Sequence, residues 1–254
     1  MKILIANDDG IEAAGIKALV EILEPLGEIF VSAPAEQQTA KGHSVTLHQE
    51  VKVQEVEFKP GINAYKVWGT PKDCIDIAVQ CLLDFKPDLI VTGINEGPNL
   101  ANDCVSSGTL GAATAGFLNG VPSIACSLDF GDEYNYMKTS KYIREIATWF
   151  LKQPFNKNCL LNVNFPNIKN EFKGVVITRN GGTHTYTQAY QVRRENEYLY
   201  VTSPYGTPVM ENVVEDLEHD IYAFKQGYVV ISPTDTDLIK NEIVDEVRKA
   251  WLTR

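Results

Sequence analysis

The apolar positions of this chain fall in two alternating patterns, short continuous runs and runs at helical spacing. Lys2-Ile3-Leu4-Ile5-Ala6 is an unbroken run of strand length, and from Ile11 to Leu23 apolar residues recur every three to four positions before Pro25 and Gly27. Glu28 to Ser32 is a second strand-like run. Asp88 to Ile94 is a third, and its lack of a polar face predicts a strand buried on both sides, as in a parallel sheet. Gly69-Thr70-Pro71-Lys72-Asp73 opens a helix expected to reach about Phe85, with Thr70 as cap, Pro71 in the first turn and Asp73 completing a capping arrangement. Ser106-Ser107-Gly108-Thr109 opens a small-residue helix, Leu110 to Asn119, which Gly120 stops before Val121 to Cys126 returns as a strand. A helix from Ser140 to about Lys152 and a strand from Leu160 to Phe165 follow. This order predicts an α/β fold with a doubly wound, mostly parallel sheet and right-handed crossovers.

From Lys173 the pattern changes. Val175 to Thr178, Tyr198 to Val201 and Tyr228 to Ile231 read as extended or hairpin strands between polar turns, so this part is expected to be an appended β-hairpin arm. The chain then divides into a core over residues 1–172, a β-rich arm over 173–235 and a C-terminal helix over 236–254, all within one domain.

Acids placed where strands end give this pattern its chemistry. Asp8 and Asp9 follow the first strand directly, at the rim of a parallel sheet where open α/β folds bind ligands. Two close anions repel unless something neutralises them, and oxygen-only ligation points to magnesium, manganese or calcium rather than zinc. The competing reading makes one Asp a turn and helix cap and leaves the other solvated. Asn95 ends the Asp88–Ile94 strand as Asp8 ends the first and adds a carbonyl oxygen, and Thr39, in the long loop from Ala33 to Ser44, offers a hydroxyl. Ser107, Gly108 and Thr109 precede a helix whose free N–H groups favour a phosphate, although such a sequence also serves as a plain cap. Cation and anion cradle together suit phosphoryl transfer to water.

Composition narrows the classes. The 254 residues are 44% apolar and 22% charged, which suits a folded globular chain, and the net charge of −10 argues against a partner as anionic as duplex nucleic acid. The N-terminus lacks the pattern of a signal peptide, and no apolar stretch reaches membrane-spanning length, so a cytoplasmic protein with no membrane contact is expected. Cys74, Cys81, Cys104, Cys126 and Cys159 form no CxxC pair and read as reduced, mostly buried thiols. The four histidines show no metal-binding spacing, and Walker A, GxGxxG and GxSxG motifs are absent.

Asn7-Asp8-Asp9-Gly10 with Gly15, Ala33-Pro34 leading to Gly42-His43-Ser44, Gly69-Thr70-Pro71 with Asp73-Cys74, Gly93 to Asn99, and Ser107-Gly108-Thr109 together resemble the survival protein SurE family of metal-dependent nucleotidases. Order and spacing agree over the first half of the chain, and more weakly through Gly227-Tyr228-Val229 and Ser232-Pro233. The resemblance implies a Rossmann-like domain that hydrolyses nucleoside 5′-monophosphates, with 3′-monophosphates and short polyphosphate as further substrates. It implies one divalent ion, Mg²⁺ or Mn²⁺, on Asp8, Asp9, Thr39 and Asn95, with Asp8, Asp9 and Asn95 in catalysis and Asn99, Ser107, Gly108 and Thr109 on the substrate. It also implies a homodimer or homotetramer joined through the C-terminal arm. Thr39 stands where the family usually has Ser, Ser106 where an aromatic or His is frequent and Asp235 where some members have His; the 181–194 segment also departs from the common pattern. The alternatives in other classes are a non-catalytic metal- or nucleotide-binding sensor and a metal-dependent glycosyl or nucleotidyl transferase.

Overall fold

Alternation along the first strand decides the architecture. Ile3 and Ile5 point to one face, Leu4 and Ala6 to the other, and all four are fully buried, so both faces require a cover. A computed structural model describes residues 1–131, 134–186, 190–202, 208–236, 244, 247–248 and 251–252. Its strands are β1 (Lys2–Ala6), β2 (Glu28–Pro34), β3 (Val53–Lys59), β4 (Ile62–Val67), β5 (Leu89–Glu96), β6 (Ser123–Leu128), β7 (Leu160–Phe165), β8 (Val175–Ile177), β9 (Thr183–Tyr186), β10 (Gln191–Glu195), β11 (Tyr198–Thr202), β12 (Pro208–Glu211) and β13 (Val229–Thr234). Its α-helices are α1 (Ala14–Leu23), α2 (Pro71–Ile77), α3 (Gly108–Leu118), α4 (Ser140–Phe150) and α5 (Asp220–Lys225). On the Ile3 face, Ile16 and Leu19 of α1 and Ile143, Ile146 and Phe150 of α4 share a core with Val91, Ile124 and Val163. On the Leu4 face, Ile75 of α2 and Ala112 and Ala115 of α3 pack with Ile90. The sheet is therefore doubly wound, as its pattern predicts.

Nine strands form the main sheet in the order β3-β4-β2-β1-β5-β6-β7-β13-β8. From β4 to β7 six strands run parallel through five neighbouring pairs. The chain leaves β1 in one direction through β2 and β4, and leaves β5 in the other through β6 and β7. The gap between the ends of β1 and β5 is thus the switch point at which such sheets bind ligands. Asp8 and Asn95 both lie there.

Two expectations about the later chain change. The runs at Val175 and Tyr228 belong to the main sheet and not to an appendage: β13 pairs antiparallel with β7 and parallel with β8. Val229 and Val230 are fully buried against β7, which is what draws the strand inward. The segment set apart is narrower: β10 pairs with β11 and β9 with β12, each in its own two-stranded sheet. The helix expected over 236–254 lies for the most part outside the described residues, as do residues 187–189 of the divergent 181–194 segment. An antiparallel hairpin, β3–β4, also adds to the opposite edge, turning at Pro60-Gly61. Among the described residues, no helix is long and apolar enough to cross a membrane. All five cysteines are free thiols; Cys74 and Cys126 are buried and Cys81 is exposed.

Candidate active site

The turn after β1 is held from three directions. Asn7 Nδ2 donates to the carbonyl of Gly10 at 2.8 Å, and Gly10 takes a φ of 101° that an L side chain rarely adopts. The N–H of Ile11 donates to the Pro34 carbonyl at the end of β2, which delays the first helix to Ala14 although apolar spacing begins at Ile11. The N–H of Gln38 donates to the Asp8 carbonyl at 2.7 Å. The long loop is therefore tied to the acid pair itself. Farther along, Gly42 N–H donates to Ser106 O at 2.9 Å, and Thr46 donates through both its N–H and its hydroxyl to Asp73, at 3.0 and 2.6 Å. Asp73 in turn completes the capping box with Thr70. A loop that long is ordinarily mobile, and here it is pinned over the switch point.

The start of α3 meets the acids from the other side. Thr92 of β5 donates its hydroxyl to the Thr109 carbonyl at 2.8 Å, and Thr109 Oγ1 donates to Asp8 Oδ1 at 2.5 Å. Gly108 packs so closely that a Cβ there would lie 2.8 Å from both Cβ and Oδ2 of Asp8. Ser107 caps the helix, its Oγ accepting from Leu110 N–H at 3.2 Å. Two of the three side chains or backbones expected to touch phosphate thus already have work inside the protein, Thr109 as an orienter of Asp8 and Ser107 as a cap. The first amides of α3 are engaged as well, those of Gly108 and Thr109 on the Asp8 carboxylate, that of Leu110 on Ser107 Oγ and that of Gly111 on the Ser107 carbonyl.

Electrostatics make the pair unstable on its own. Asp8 is 3% exposed, and burial pushes its carboxyl pKa up despite hydrogen bonds from Thr109 and Gly108. Burial, then the charge of Asp8, then that of Glu96 raise Asp9 from 3.8 to about 7. Asp9 Oδ2 and Asn7 Oδ1 are buried without a hydrogen-bond partner, and among the described residues no ion pair reaches either aspartate. Orphaned acceptor oxygens beside uncompensated acids fit a hard divalent cation. Among the described residues no group of three or more His, Cys, Asp or Glu side chains is arranged to hold a metal. A pH effect follows. The folded carboxyl of Asp9 keeps its proton to about 7 whereas the unfolded one loses it near 3.8, so the group stabilises the metal-free fold at low pH and that contribution is lost as pH rises through about 7. The melting temperature of metal-free protein is expected to fall between about pH 5 and pH 8 more steeply than that of Asp9→Asn; parallel profiles would remove this account of Asp9.

Asn95 and Asn99 have different surroundings. Asn95 is partly exposed, and its Nδ2 donates to the Gly97 carbonyl at 2.7 Å, which turns the side-chain oxygen away from that bond. Asn99 is 8% exposed and knitted inward: Nδ2 donates to Ser127 Oγ at 2.9 Å, its N–H to Asn164 Oδ1 at 2.7 Å, and its carbonyl accepts from Asn162 Nδ2 at 2.8 Å. Thr39 is exposed and follows Gln38 directly in the tied loop.

The family model for survival protein SurE matches residues 3–187. The chain belongs to the SurE family. The 5′-nucleotidase SurE of Carboxydothermus hydrogenoformans is 36% identical over 99% of this chain and 96% of its own length. That of Bacteroides fragilis is 38% identical over 98% and 96%. The crystal structure of the SurE protein from Aquifex aeolicus superposes with a TM-score of 0.81 at 30% identity, covering 99% of this chain and all of that one.

In this SurE member, four contributors to the site carry no motif of their own. Glu96 follows Asn95 and accepts from the Tyr136 hydroxyl at 2.7 Å, and its charge helps raise Asp9. Gln37 hydrogen-bonds the Asp9 carboxyl. Asn162 and Asn164, two residues apart on β7 and so on one face, hold Asn99. Buried Asn at alternating positions of an otherwise apolar strand is the signal that points to them. Of the departures at Ser106 and Asp235, Ser106 lies beside the site, its carbonyl accepting from Gly42 of the long loop. Asp235 does not: Thr234 pairs with Leu160 at the start of β7, and the charge of Asp235 is felt by Cys159, so it sits at the far end of the sheet. The reversed direction of β13 puts it there.

Proposed function

We propose that this SurE-family chain is a divalent-metal-dependent phosphomonoesterase that releases phosphate from nucleoside 5′-monophosphates, acting also on 3′-monophosphates and short polyphosphate. The observation that carries the reading is the uncompensated Asp8–Asp9 pair at the switch point, Asp8 buried and Asp9 half-buried, with the orphaned oxygens of Asp9 and Asn7 beside it. Its relatives' name as 5′-nucleotidases supplies the substrate class. Asp8, Asp9, Asn95 and Thr39 would hold one ion, Mg²⁺ or Mn²⁺. When bound, such an ion neutralises charge on phosphoryl oxygens and makes water a better nucleophile. The protein's own part is placement. Thr109, through its hydroxyl, and the Gly108 and Thr109 amides fix the Asp8 carboxylate, and Ser107 and Asn99 keep that turn and the β5–α3 connection in shape beside the phosphate. Phosphate release from AMP, GMP and UMP, each with Mg²⁺, Mn²⁺ or chelator, tests the proposal. Metal-independent release, or nucleotide binding without release, would count against it, the latter in favour of a sensor.

The hydroxyl of Thr39 gives a sharper test. Thr39→Ser keeps the oxygen and Thr39→Val keeps the shape, so activity is expected to survive the first and to fall about 10–100-fold in the second, measured at limiting Mn²⁺. Equal activity in both would show that the loop oxygen takes no part.

Self-association through the arm belongs to the same reading. All of β11 is exposed, including Tyr198, Leu199, Tyr200 and Val201, and an isolated two-stranded hairpin is marginal in water. A second copy of the chain covering it yields a dimer or tetramer, and light scattering that returns the mass of one chain would refute this. The free thiols support a cytoplasmic location.

A further inference from the structure

The chain after β6 sets aromatic rings at the lip of the acid site. Phe130 is 57% exposed, and the tip of its ring rests on the backbone of Gly97, where a Cβ would lie 2.4 Å from Cζ. Gly97 is the residue whose carbonyl accepts from Asn95, so the ring stands one hydrogen-bonded step from a proposed cation ligand. Tyr134 lies next along the chain, parallel to Tyr136 with centroids 5.6 Å apart and 9° between planes. Tyr136 is buried and anchored on Glu96. Burial, then the charges of Glu96 and Asp9, push the Tyr134 hydroxyl pKa up, which puts that ring within the field of the acid pair.

A single exposed apolar side chain needs no explanation, since much of any protein surface is apolar. Phe130 differs in its position. Its tip is pinned, its surface is open, and it borders the place where the phosphate of a nucleotide would be held. A nucleotide anchored there has an aromatic base still to place, and a base finds on a phenyl ring a partner that water cannot match. We propose that Phe130, seated on Gly97, is the platform on which the base of the bound nucleotide stacks. The proposal rests on the reading of the site as a nucleoside monophosphatase. Every base has a π face, so a platform of this kind favours nucleotides over plain sugar phosphates and discriminates little between bases. Gly97 belongs to the same device, because any side chain there would displace the ring.

The test is steady-state hydrolysis of AMP, UMP and ribose 5-phosphate with saturating Mn²⁺, by wild type, Phe130→Ala, Phe130→Leu and Phe130→Tyr. Removing the ring is expected to raise KM for both nucleotides about tenfold or more. It should leave kcat/KM for ribose 5-phosphate, which has no base, nearly unchanged, and Phe130→Tyr should restore the nucleotide values. Phe130→Leu keeps an apolar contact with Gly97 while removing the π face, so it separates stacking from packing. Equal losses on all three esters, or no loss on any, overturn the platform and leave the phosphomonoesterase standing. Altered oligomer size with intact nucleotide kinetics also overturns it, by showing that the ring covers a subunit contact. A wild-type protein that releases phosphate from none of the three overturns the reading of the site, and the platform with it.

Discussion

Asp8→Asn and Asp9→Asn are each expected to lower phosphate release by about a thousandfold or more while the metal-free protein stays folded. The two parts of this expectation have one cause. Each acid is held where burial disfavours its charge, Asp9 to the point that its pKa reaches about 7, so a neutral amide of the same shape relieves a cost in the metal-free fold. Asn at position 8 can still accept the Thr109 hydroxyl that Asp8 accepts at 2.5 Å. The cation loses one of two anionic ligands, and neutral oxygens do not replace that charge. Melting temperatures without metal should therefore match or exceed wild type, and the rise in melting temperature on adding Mn²⁺ should vanish. Wild-type manganese affinity in both variants, by calorimetric titration, would sink the assignment.

Gly108→Ala tests placement rather than ligation. The added methyl would stand 2.8 Å from Cβ and Oδ2 of Asp8, and Asp8 is too short to swing aside while keeping its bond to Thr109. Either the carboxylate turns or the first turn of α3 lifts, and both break the hold of that turn on Asp8 and move the carboxylate from where it would meet the ion. A displacement near 1 Å in such a site costs about a hundredfold in rate, so a loss of that order is expected in kcat/KM. Gly108 is buried together with Ser107, Thr109 and Leu110, so the overpacked methyl is expected to lower the melting temperature as well as the rate. Full activity in Gly108→Ala would mean that the contact between α3 and Asp8 is not part of the machinery.

Local signals made the first half of this molecule readable. The acids after β1, the Thr70–Asp73 capping box, the Ser107 cap and the runs that became β1, β2, β5, β6 and β7 each depend on residues close together in sequence, where propensity and patterning act directly. The helix expected to reach Phe85 gives way at Ala78 to a wider turn, in which Leu83 N–H bonds to the Ala78 carbonyl. What was hidden depends on contacts between distant residues. Val229 to Ile231 has the same apolar character whether it lies in an arm or in the sheet, and only pairing with β7, some seventy positions earlier, decides between them. Glu96 and Tyr136 are ordinary surface types in sequence. They become part of the site because the chain after β6 folds back onto the end of β5, and no local pattern records that contact.

The insertion of β13 between β7 and β8 bears on how the chain is made. Both of its neighbours precede it in sequence, so as the protein leaves the ribosome β8 has no strand beside it and the outer edge of β7 stays open until residue 234 has emerged. By then Asp8, Asp9, Thr39, Asn95 and the α3 turn have long been synthesised. A nascent chain can therefore hold every proposed ligand and still present an unpaired hydrogen-bonding edge, the kind of surface on which chains aggregate. A product that stops at Tyr228 should accumulate as insoluble material although its chemistry is complete, because in this topology the last strand of the sheet acts as its closure.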